Sequence, residues 1–572
     1  MAGARRCGLP LLPAAVFAAV AASAFYTLPA VWPDEGLFAD PALSLLEQGR
    51  LATTLVGDLV PGMASRTYWM PPLYFLYLAL VFAVSGASIF VMRLSSVAMG
   101  LALACIVWRI GRCLLPRGRD AAWAWLPVAL LLVDVLYIRA SLIARMELLT
   151  LVWVLLAFDQ ASRFLDRRRP LHAILAGACS GLACLSHPIG LAAPVTVAII
   201  WVTMARSTRE HAADWPATRT GAALLLLTAL ALTLTPWVWY VWQDVPLFVD
   251  QVGRQLSRKS GDALDARLYT FWLYLSPRLG VRLLTLVYLV AGLAGGLRLA
   301  ARRRQYRPFA VGGFVVLALA VWGAEGWYVV YPLPFAALGV LGWLEASSRP
   351  WSPSEASPQT AQHLLQLSGL RPWKMSRIAL AVVAVYAGVT LSEDARAVAS
   401  SRRHDYRAFV AAIEREVLAL APRDALVVLD SVPDPYPGLL AWRHRVRFRA
   451  FSPVPTSPSA TRALVARATI VLFGPYEPDR AIREAINATR DQWTRQVIDA
   501  GGYRAEVFVR RQERVRVLFS TLLVLPAAPA GTVGSSGMTR RHGVSRSEPL
   551  EVRRLAREGY VVPPRLIAAL RR

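Results

Sequence analysis

Charge is scarce in this chain. Only 17% of its 572 residues are Asp, Glu, Lys or Arg, against about 25% in soluble globular domains, and that scarcity excludes a wholly soluble enzyme. Lysine is scarcer still, with Lys259 and Lys374 as the whole complement, so the basic residues are almost all arginine. The five cysteines, Cys7, Cys105, Cys113, Cys179 and Cys184, lie in or beside apolar stretches and show no metal-ligand spacing, which argues against disulfides and a zinc site. No internal repeat of about 20 to 50 residues is present, which removes the solenoids and propellers.

What is abundant is apolar sequence, at 56% of residues, gathered in runs of roughly 17 to 25, about the length a helix needs to cross a hydrocarbon core. The runs are too long for transmembrane β-strands. They fall near 9–32, 71–86, 90–113, 121–138, 146–164, 171–187, 189–205, 220–242, 279–299, 308–324, 327–345 and 376–392. The sequence therefore predicts a polytopic α-helical membrane protein of about 12 to 13 transmembrane helices. The first run follows Arg5 and Arg6 and reads as a retained helix, since no small-x-small cleavage site closes it.

Basic residues exceed acidic ones by 26. The excess sits in short clusters between apolar runs, at Arg109–Arg119, Arg163–Arg169, Arg206/Arg209, Arg302–Arg307 and Arg371/Lys374. Such clusters anchor cytoplasmic loops and do not point to nucleic acid. The acidic stretch 33–70, the turn 139–147, the turn at His187, the loop 243–278 and the turn at Glu325 then face outside, in the cell membrane's extracytoplasmic direction. Two apolar runs in 71–108 conflict with the odd number of crossings this topology allows there, so one is expected to be re-entrant or to lie along the surface.

The composition divides the chain into a membrane module over 1–345, a Ser/Pro/Gln-rich linker over 346–375 and a last membrane helix over 376–392. A soluble domain over 393–525 and a Gly/Ser/Pro/Arg-rich tail over 526–572 follow. Within the soluble domain, β-branched runs at 425–430, 469–474 and 505–510 alternate with helical pattern, which predicts a small extracytoplasmic α/β domain. The tail reads as disordered, with a short helix near 549–556.

Chemistry concentrates at run ends. Asp34 and Glu35 follow the first run directly; a carboxylate at a membrane surface suits proton removal from a hydroxyl, and equally suits a helix N-cap. Pro71 and Pro72 open the next run behind Tyr68 and Trp69, a pattern that N1 preference and an interfacial aromatic belt also explain. Arg139, Arg145 and Glu147 lie between two runs, where an arginine pair beside a carboxylate binds phosphate or simply anchors helix ends. His187, before Pro188, suits a phosphate contact or a carbonyl cap. The loop 244–278 mixes Arg254, Arg258, Lys259 and Arg267 with aromatics, which fits an anionic headgroup or a plain solvated loop. Trp327, Tyr328 and Tyr331 precede two further prolines.

Taken in this order, these features resemble the GT-C superfamily of integral-membrane glycosyltransferases over roughly residues 9–345. The resemblance is to its family 39 branch, with the bacterial aminoarabinose transferases of lipid A and the protein O-mannosyltransferases. The Asp-Glu pair, the paired prolines, Arg93-Leu94 and Arg145-x-Glu147 carry the resemblance. It implies transfer of a sugar from a polyprenyl-phosphate donor to an acceptor hydroxyl on the outer face. Asp34 falls on the catalytic acid, as general base, with Glu35 beside it. Glu147 falls on a later site carboxylate, His187 on a helix-boundary position usually held by Lys-Gly, and Tyr328 joins the other site residues. Relatives commonly carry a lysine before the proline pair, where this chain has Trp69 and Met70, so Arg66 is a substitute for the phosphate contact. Arg66, Arg139, Arg145, Arg258 and Lys259 form the pool for the donor phosphate. The superfamily admits a divalent metal, but no ligand cluster in this sequence demands one. A transporter or flippase of lipid-linked sugar is the rival reading, and a non-catalytic scaffold that binds lipid-linked sugar is a third. Transporters place ionisable residues near the bilayer midplane. Here most lie at run ends, Asp134 excepted.

Overall fold

The computed structural model describes residues 11–32, 34–55, 62–115, 121–207, 215–260, 263–323, 325–347, 372–418, 421, 425–430, 447–450, 458–474 and 480–511. The chain is a polytopic α-helical membrane protein with a small α/β domain toward its C-terminus. Seven helices among the described residues are long and apolar enough to cross a membrane, and four apolar helices are shorter. The expected tail helix near 549–556 and most of the linker over 346–375 lie outside the described residues.

The helices run α1 (Leu11–Ala24), α2 (Asp34–Gln48), α3 (Leu73–Ser85), α4 (Ile89–Leu114), α5 (Trp125–Leu132), α6 (Val135–Ser141), α7 (Glu147–Arg167), α8 (Pro170–Ser186) and α9 (Ala192–Ser207). They continue with α10 (Trp215–Trp242), α11 (Val245–Ser260), α12 (Leu264–Leu275), α13 (Leu279–Arg302), α14 (Arg307–Gly323), α15 (Leu333–Ser347) and α16 (Pro372–Ser401).

Two stretches expected as loops are helical. The first, 33–70, carries α2, whose Phe38, Ala39, Ala42 and Leu43 are buried; its apolar residues recur at helical spacing, a pattern masked by the acidic residues around them. The second, 243–278, carries α11 and α12. The apolar run 121–138 is broken at Asp134, which caps α6 by accepting the N–H groups of Leu136 (2.8 Å) and Tyr137 (3.2 Å). The 13 residues of α3 reach only about 20 Å, short of a hydrocarbon core of about 30 Å.

Helix α15 lies at the centre of the bundle, with the whole apolar span Tyr328–Glu345 buried. It meets α13 through glycine: a Cβ on Gly339 would stand 1.8 Å from the Gly292 carbonyl oxygen, and one on Gly295 would stand 2.3 Å from that of Gly339. Any side chain there would force the two helices apart.

The α/β domain has five strands, β1 (Leu426–Asp430), β2 (Arg447–Ala450), β3 (Ile470–Phe473), β4 (Trp493–Ala500) and β5 (Tyr503–Arg510), in the order β2-β1-β3-β5-β4. The first three pair in parallel, whereas β5 and β4 join antiparallel. The three β-branched runs marked in the sequence became β1, β3 and β5. Alternation of side chains splits the sheet between two cores. Val428, Val471 and Phe473 pack with helices α18 (Pro458–Arg467) and α19 (Arg480–Ala488), whereas Val427, Ile470, Leu472 and Val507 pack with α17 (Tyr406–Ile413). The second core also contains Val31 and Leu55, one on either side of α2, and Tyr26 stacks on Tyr406 with ring centroids 5.9 Å apart.

Candidate active site

The two acidic residues at the start of α2 have opposite surroundings. Glu35 is fully buried and meets Arg93, equally buried, through two parallel bonds, from Nε to Oε1 (2.9 Å) and from Nη2 to Oε2 (2.7 Å). Its oxygens also accept the backbone N–H groups of Ala144 (2.9 Å) and Trp32 (3.0 Å). The remaining Arg93 nitrogen, Nη1, donates to the carbonyls of Phe25 (2.5 Å) and Pro29 (3.1 Å). Every polar group of this pair is therefore satisfied, the condition under which a buried ion pair is tolerated. The network ties the N-terminus of α2 to α4, to the segment before it and to the turn before α7.

Asp34 faces the other way. Its side chain keeps 30% of its surface exposed and pairs through Oδ2 with Nη1 of Arg145. Oδ1 has no partner among the described residues. Arg145 is itself buried and also binds Oε1 of Glu147 through Nε (3.0 Å) and Nη2 (2.9 Å). Burial alone would lower the affinity of this guanidinium for its proton, but Glu147 and Asp34 outweigh it and hold the group well above the usual arginine range. Arg145 is thus fixed as a cation between two carboxylates.

A second guanidinium lies close by without a carboxylate. Arg139, at the end of α6, stacks over the Trp327 ring at 4.3 Å, and Arg145 approaches the same ring at 5.1 Å. No acidic group pairs with Arg139 among the described residues. Burial, aided by the charge of Arg145, pushes its pKa down from 12.5 to about 10. A half-buried cation of this kind is costly until an anion arrives.

His187 accepts the Ile189 N–H at Nδ1 (3.1 Å), so it caps the short helical turn Pro188–Leu191 at an N–H and not at a carbonyl as expected. With Nδ1 accepting, Nε2 carries the proton and meets the Tyr328 hydroxyl at 3.1 Å; this tautomer is assigned from the partners. Tyr328 also stands within electrostatic reach of Arg145. The structure thus draws Asp34, Arg139, Arg145, Glu147, His187 and Tyr328 together.

Arg66 belongs to a separate cluster. It donates to the Tyr68 hydroxyl (3.2 Å) and lies over the Tyr240 ring at 5.8 Å, while Gln251 of α11 clamps the backbone of Arg66 and Tyr68. None of its described contacts reaches the carboxylates. The side chains of Arg258 and Lys259, at the end of α11, lie outside the described residues.

Sequence reasoning gave no site role to three residues near this cluster. Arg93 was legible in principle, as the only charged residue between Ile89 and Trp108, since a cation so isolated in an apolar helix needs a buried anion. Tyr74 is buried with its hydroxyl unpartnered among the described residues, within electrostatic reach of Glu147, Glu35 and Arg145. Tyr331, buried near Glu147, Tyr328 and Arg145, has its hydroxyl within reach of Thr150. Among the described residues no three His, Cys, Asp or Glu side chains gather as metal ligands, and Arg145 already occupies the space between Asp34 and Glu147. The donor set does not fit a divalent metal.

No protein-family model matches the chain, and no curated protein does. Among solved structures it is similar to ArnT from Cupriavidus metallidurans bound to undecaprenyl phosphate, at 14% identity over 86% of this chain and 97% of that one, with a TM-score of 0.49. It is similar to the archaeal oligosaccharyltransferase AglB from Archaeoglobus fulgidus in complex with an inhibitory peptide and a dolichol-phosphate, at 12% identity over 81% and 69% of the two chains, with a TM-score of 0.45. The arabinosyltransferase EmbB from Mycobacterium smegmatis matches at 16% identity over 69% of this chain and 41% of that one, with a TM-score of 0.43.

Proposed function

We propose that this chain is a GT-C type membrane glycosyltransferase that moves a sugar from a polyprenyl-phosphate donor to an acceptor hydroxyl on the extracytoplasmic face. One observation carries the reading. A partly exposed carboxylate, Asp34, is held by Arg145, which shares the Trp327 ring with a second guanidinium, Arg139, that has no carboxylate partner among the described residues. The reaction needs those two groups, one to take a proton and one to hold a leaving phosphate. Asp34 accepts the acceptor hydroxyl's proton at Oδ1 as the new bond from oxygen to the anomeric carbon forms. The bond from that carbon to the phosphate oxygen breaks on the opposite side, so the anomeric configuration inverts. Polyprenyl phosphate departs with the electron pair, its charge met by the Arg139 fork.

Arg145 is committed to Asp34 and Glu147, so its role is to position Asp34 and to add positive potential. Glu35, expected beside Asp34 in the chemistry, has both oxygens occupied and is assigned to positioning. His187 orients Tyr328. The Tyr74 hydroxyl, without a partner among the described residues, is a donor to substrate oxygen, since a buried hydroxyl without a bond costs stability unless a ligand completes it. No step runs through a metal. Arg66 and the aromatic rings around it are the second cationic site, suited to the part of the donor or acceptor farther from the anomeric carbon.

The test is mass spectrometry of lipid-linked sugars and surface glycans from cells lacking the protein, complemented with wild type or with Asp34→Asn. The reading expects a polyprenyl-phosphate sugar to accumulate, a glycan to lose that sugar, and wild type alone to restore both. If Asp34→Asn complements fully, the carboxylate is only a helix cap, and the transporter and scaffold readings take its place.

A further inference from the structure

The two guanidiniums of the site are held in different ways. Arg145 is held by its edge, with Nε and Nη2 donating to Glu147 (3.0 and 2.9 Å) and Nη1 donating to Asp34. Arg139 is held by its face. Its guanidinium carbon lies 4.3 Å from the centre of the Trp327 ring, and that of Arg145 lies 5.1 Å from the same centre. A guanidinium carries all its N–H donors in its own plane, at the edge. A carboxylate partner therefore consumes donors, whereas an aromatic face consumes none. Among the described residues Arg139 makes no hydrogen bond to protein.

The Trp327 ring is itself braced. The turn that bears it follows Trp322 at the end of α14, whose carbonyl accepts Nη1 of Arg267 from α12 and whose ring lies under that guanidinium at 4.4 Å. At Gly326 a Cβ would stand 2.5 Å from the Tyr274 ring, so glycine is what lets α12 approach the residue just before Trp327. Just after it, the Tyr328 N–H donates to the Glu325 carbonyl (3.0 Å) and the Tyr328 hydroxyl meets His187 (3.1 Å). Trp32, two residues ahead of Asp34, meets the Trp327 ring with centroids 6.3 Å apart and planes at 60°. The ring is thus supported from α12, from its own turn and from the segment entering α2, and it stays half-buried.

We propose that Trp327 is the positioning residue for the donor phosphate: its ring fixes the Arg139 guanidinium by the face, beside Arg145, and leaves the Arg139 donors free to fork the phosphate oxygens. The inference rests on the proposed transfer from a polyprenyl-phosphate donor. Two like charges sharing one ring repel, and the negative ring face offsets part of that repulsion while keeping the site open to an anion. A carboxylate in place of the ring would neutralise Arg139 and occupy its fork. With neither, the arginine would be ordered only when substrate arrives, and its lost rotamer freedom would count against binding. The ring removes that cost beforehand. Through Arg145, which binds Asp34, and through Trp32, the ring also ties the phosphate side of the reaction to the base.

The experiment measures dissociation constants of undecaprenyl phosphate and of undecaprenol, which lacks the phosphate, for the full chain purified in neutral detergent. Wild type is expected to bind the phosphate more tightly. Trp327→Leu removes the ring face and should weaken undecaprenyl phosphate by about tenfold or more while leaving undecaprenol unchanged, a split that a general loss of structure does not give. Trp327→Phe keeps an aromatic face and should stay within about threefold of wild type. Because Trp327 acts through Arg139, Trp327→Leu/Arg139→Gln should bind undecaprenyl phosphate within about threefold of Arg139→Gln alone. Wild type binding both lipids equally overturns the donor reading and this assignment with it. Where wild type does discriminate, four results overturn the Trp327 assignment alone: full preference retained by Trp327→Leu, equal weakening of both lipids in that variant, equal losses in the Leu and Phe variants, or losses that multiply in the double variant.

Discussion

Neutralising Glu35 separates its role from that of Asp34. In Glu35→Gln the Arg93 guanidinium keeps the carbonyls of Phe25 and Pro29 but loses its counter-charge, in a site with no exposed surface on either side chain. Breaking a buried pair from one side costs about 3–5 kcal/mol, because the charge left behind is uncompensated. The new amide also turns one N–H toward a site that received a backbone N–H, from Ala144 or Trp32. Arg93→Gln leaves Glu35 buried with those two N–H groups alone and costs a similar amount. The double variant carries no unpaired charge, so it should be less destabilised than the sum of the singles by about 2 kcal/mol or more. Asp34→Asn is the control. Its side chain is partly exposed and Arg145 keeps Glu147, so its stability should change by no more than about 1 kcal/mol while sugar transfer is lost. The assay is equilibrium unfolding of the four variants in mixed micelles, beside recovery of the glycan in cells. Singles costing less than about 1 kcal/mol, or costs that add within about 0.5 kcal/mol, would refute the claim that this pair fixes the N-terminus of α2.

Three further outcomes follow from the site. Tyr74→Phe removes a buried hydroxyl that has no described partner, so the ligand-free protein should gain up to about 1 kcal/mol while transfer falls; a loss of stability would show that the hydroxyl is satisfied. For Arg139, the folded pKa of about 10 lies below the 12.5 of the exposed group, so between those values the unfolded chain holds the extra proton and this group's contribution to stability rises with pH. Its charge is consequently a cost to the fold at neutral pH, and Arg139→Gln should raise the melting temperature without ligand yet abolish the rise that the proposed function expects from an added polyprenyl phosphate; Arg139→Lys should not restore that rise, lacking the fork and the stacking face. Leu55→Ala removes a side chain buried against the α/β domain and should cost about 2–5 kcal/mol, read as earlier proteolysis between the membrane helices and that domain; unchanged cleavage would show that the contact does not hold the domain in place.

Membrane character and the α/β domain were legible because both rest on periodicity, long apolar runs in one case and short β-branched runs in the other. The helical nature of α2 and α11 was obscured because their acidic and basic residues were weighed as loop composition, when the partners that bury or clamp them come from distant segments. Glu35 meets Arg93, 58 residues away, and Asp34 meets Arg145, 111 residues away. No local pattern announces such pairs. The division of labour between Asp34 and Glu35 was illegible for the same reason, since adjacent acidic residues differ only in what the folded chain places against each. Arg66 shows the same: its partners Gln251 and Tyr240 lie far along the chain, so its cluster could not be read from its proximity to the proline pair.

Three of the four carboxylates on α2 meet three different environments. Asp34 at the first position faces Arg145 and solvent, whereas Glu35 beside it points about 100° around the helix into the Arg93 network. Asp40, nearly two turns on, is buried and accepts the Thr54 hydroxyl (2.8 Å) and the Leu55 N–H (2.9 Å). Leu55 in turn packs into the core of the α/β domain, as does Val31 just ahead of α2. The helix is therefore gripped from the membrane bundle through Glu35 and from the soluble domain through Asp40, and Asp34, partly exposed in its first turn, is held between the two. On the proposed function, a carboxylate held this way loses little entropy when an acceptor arrives and already has the orientation that proton transfer requires.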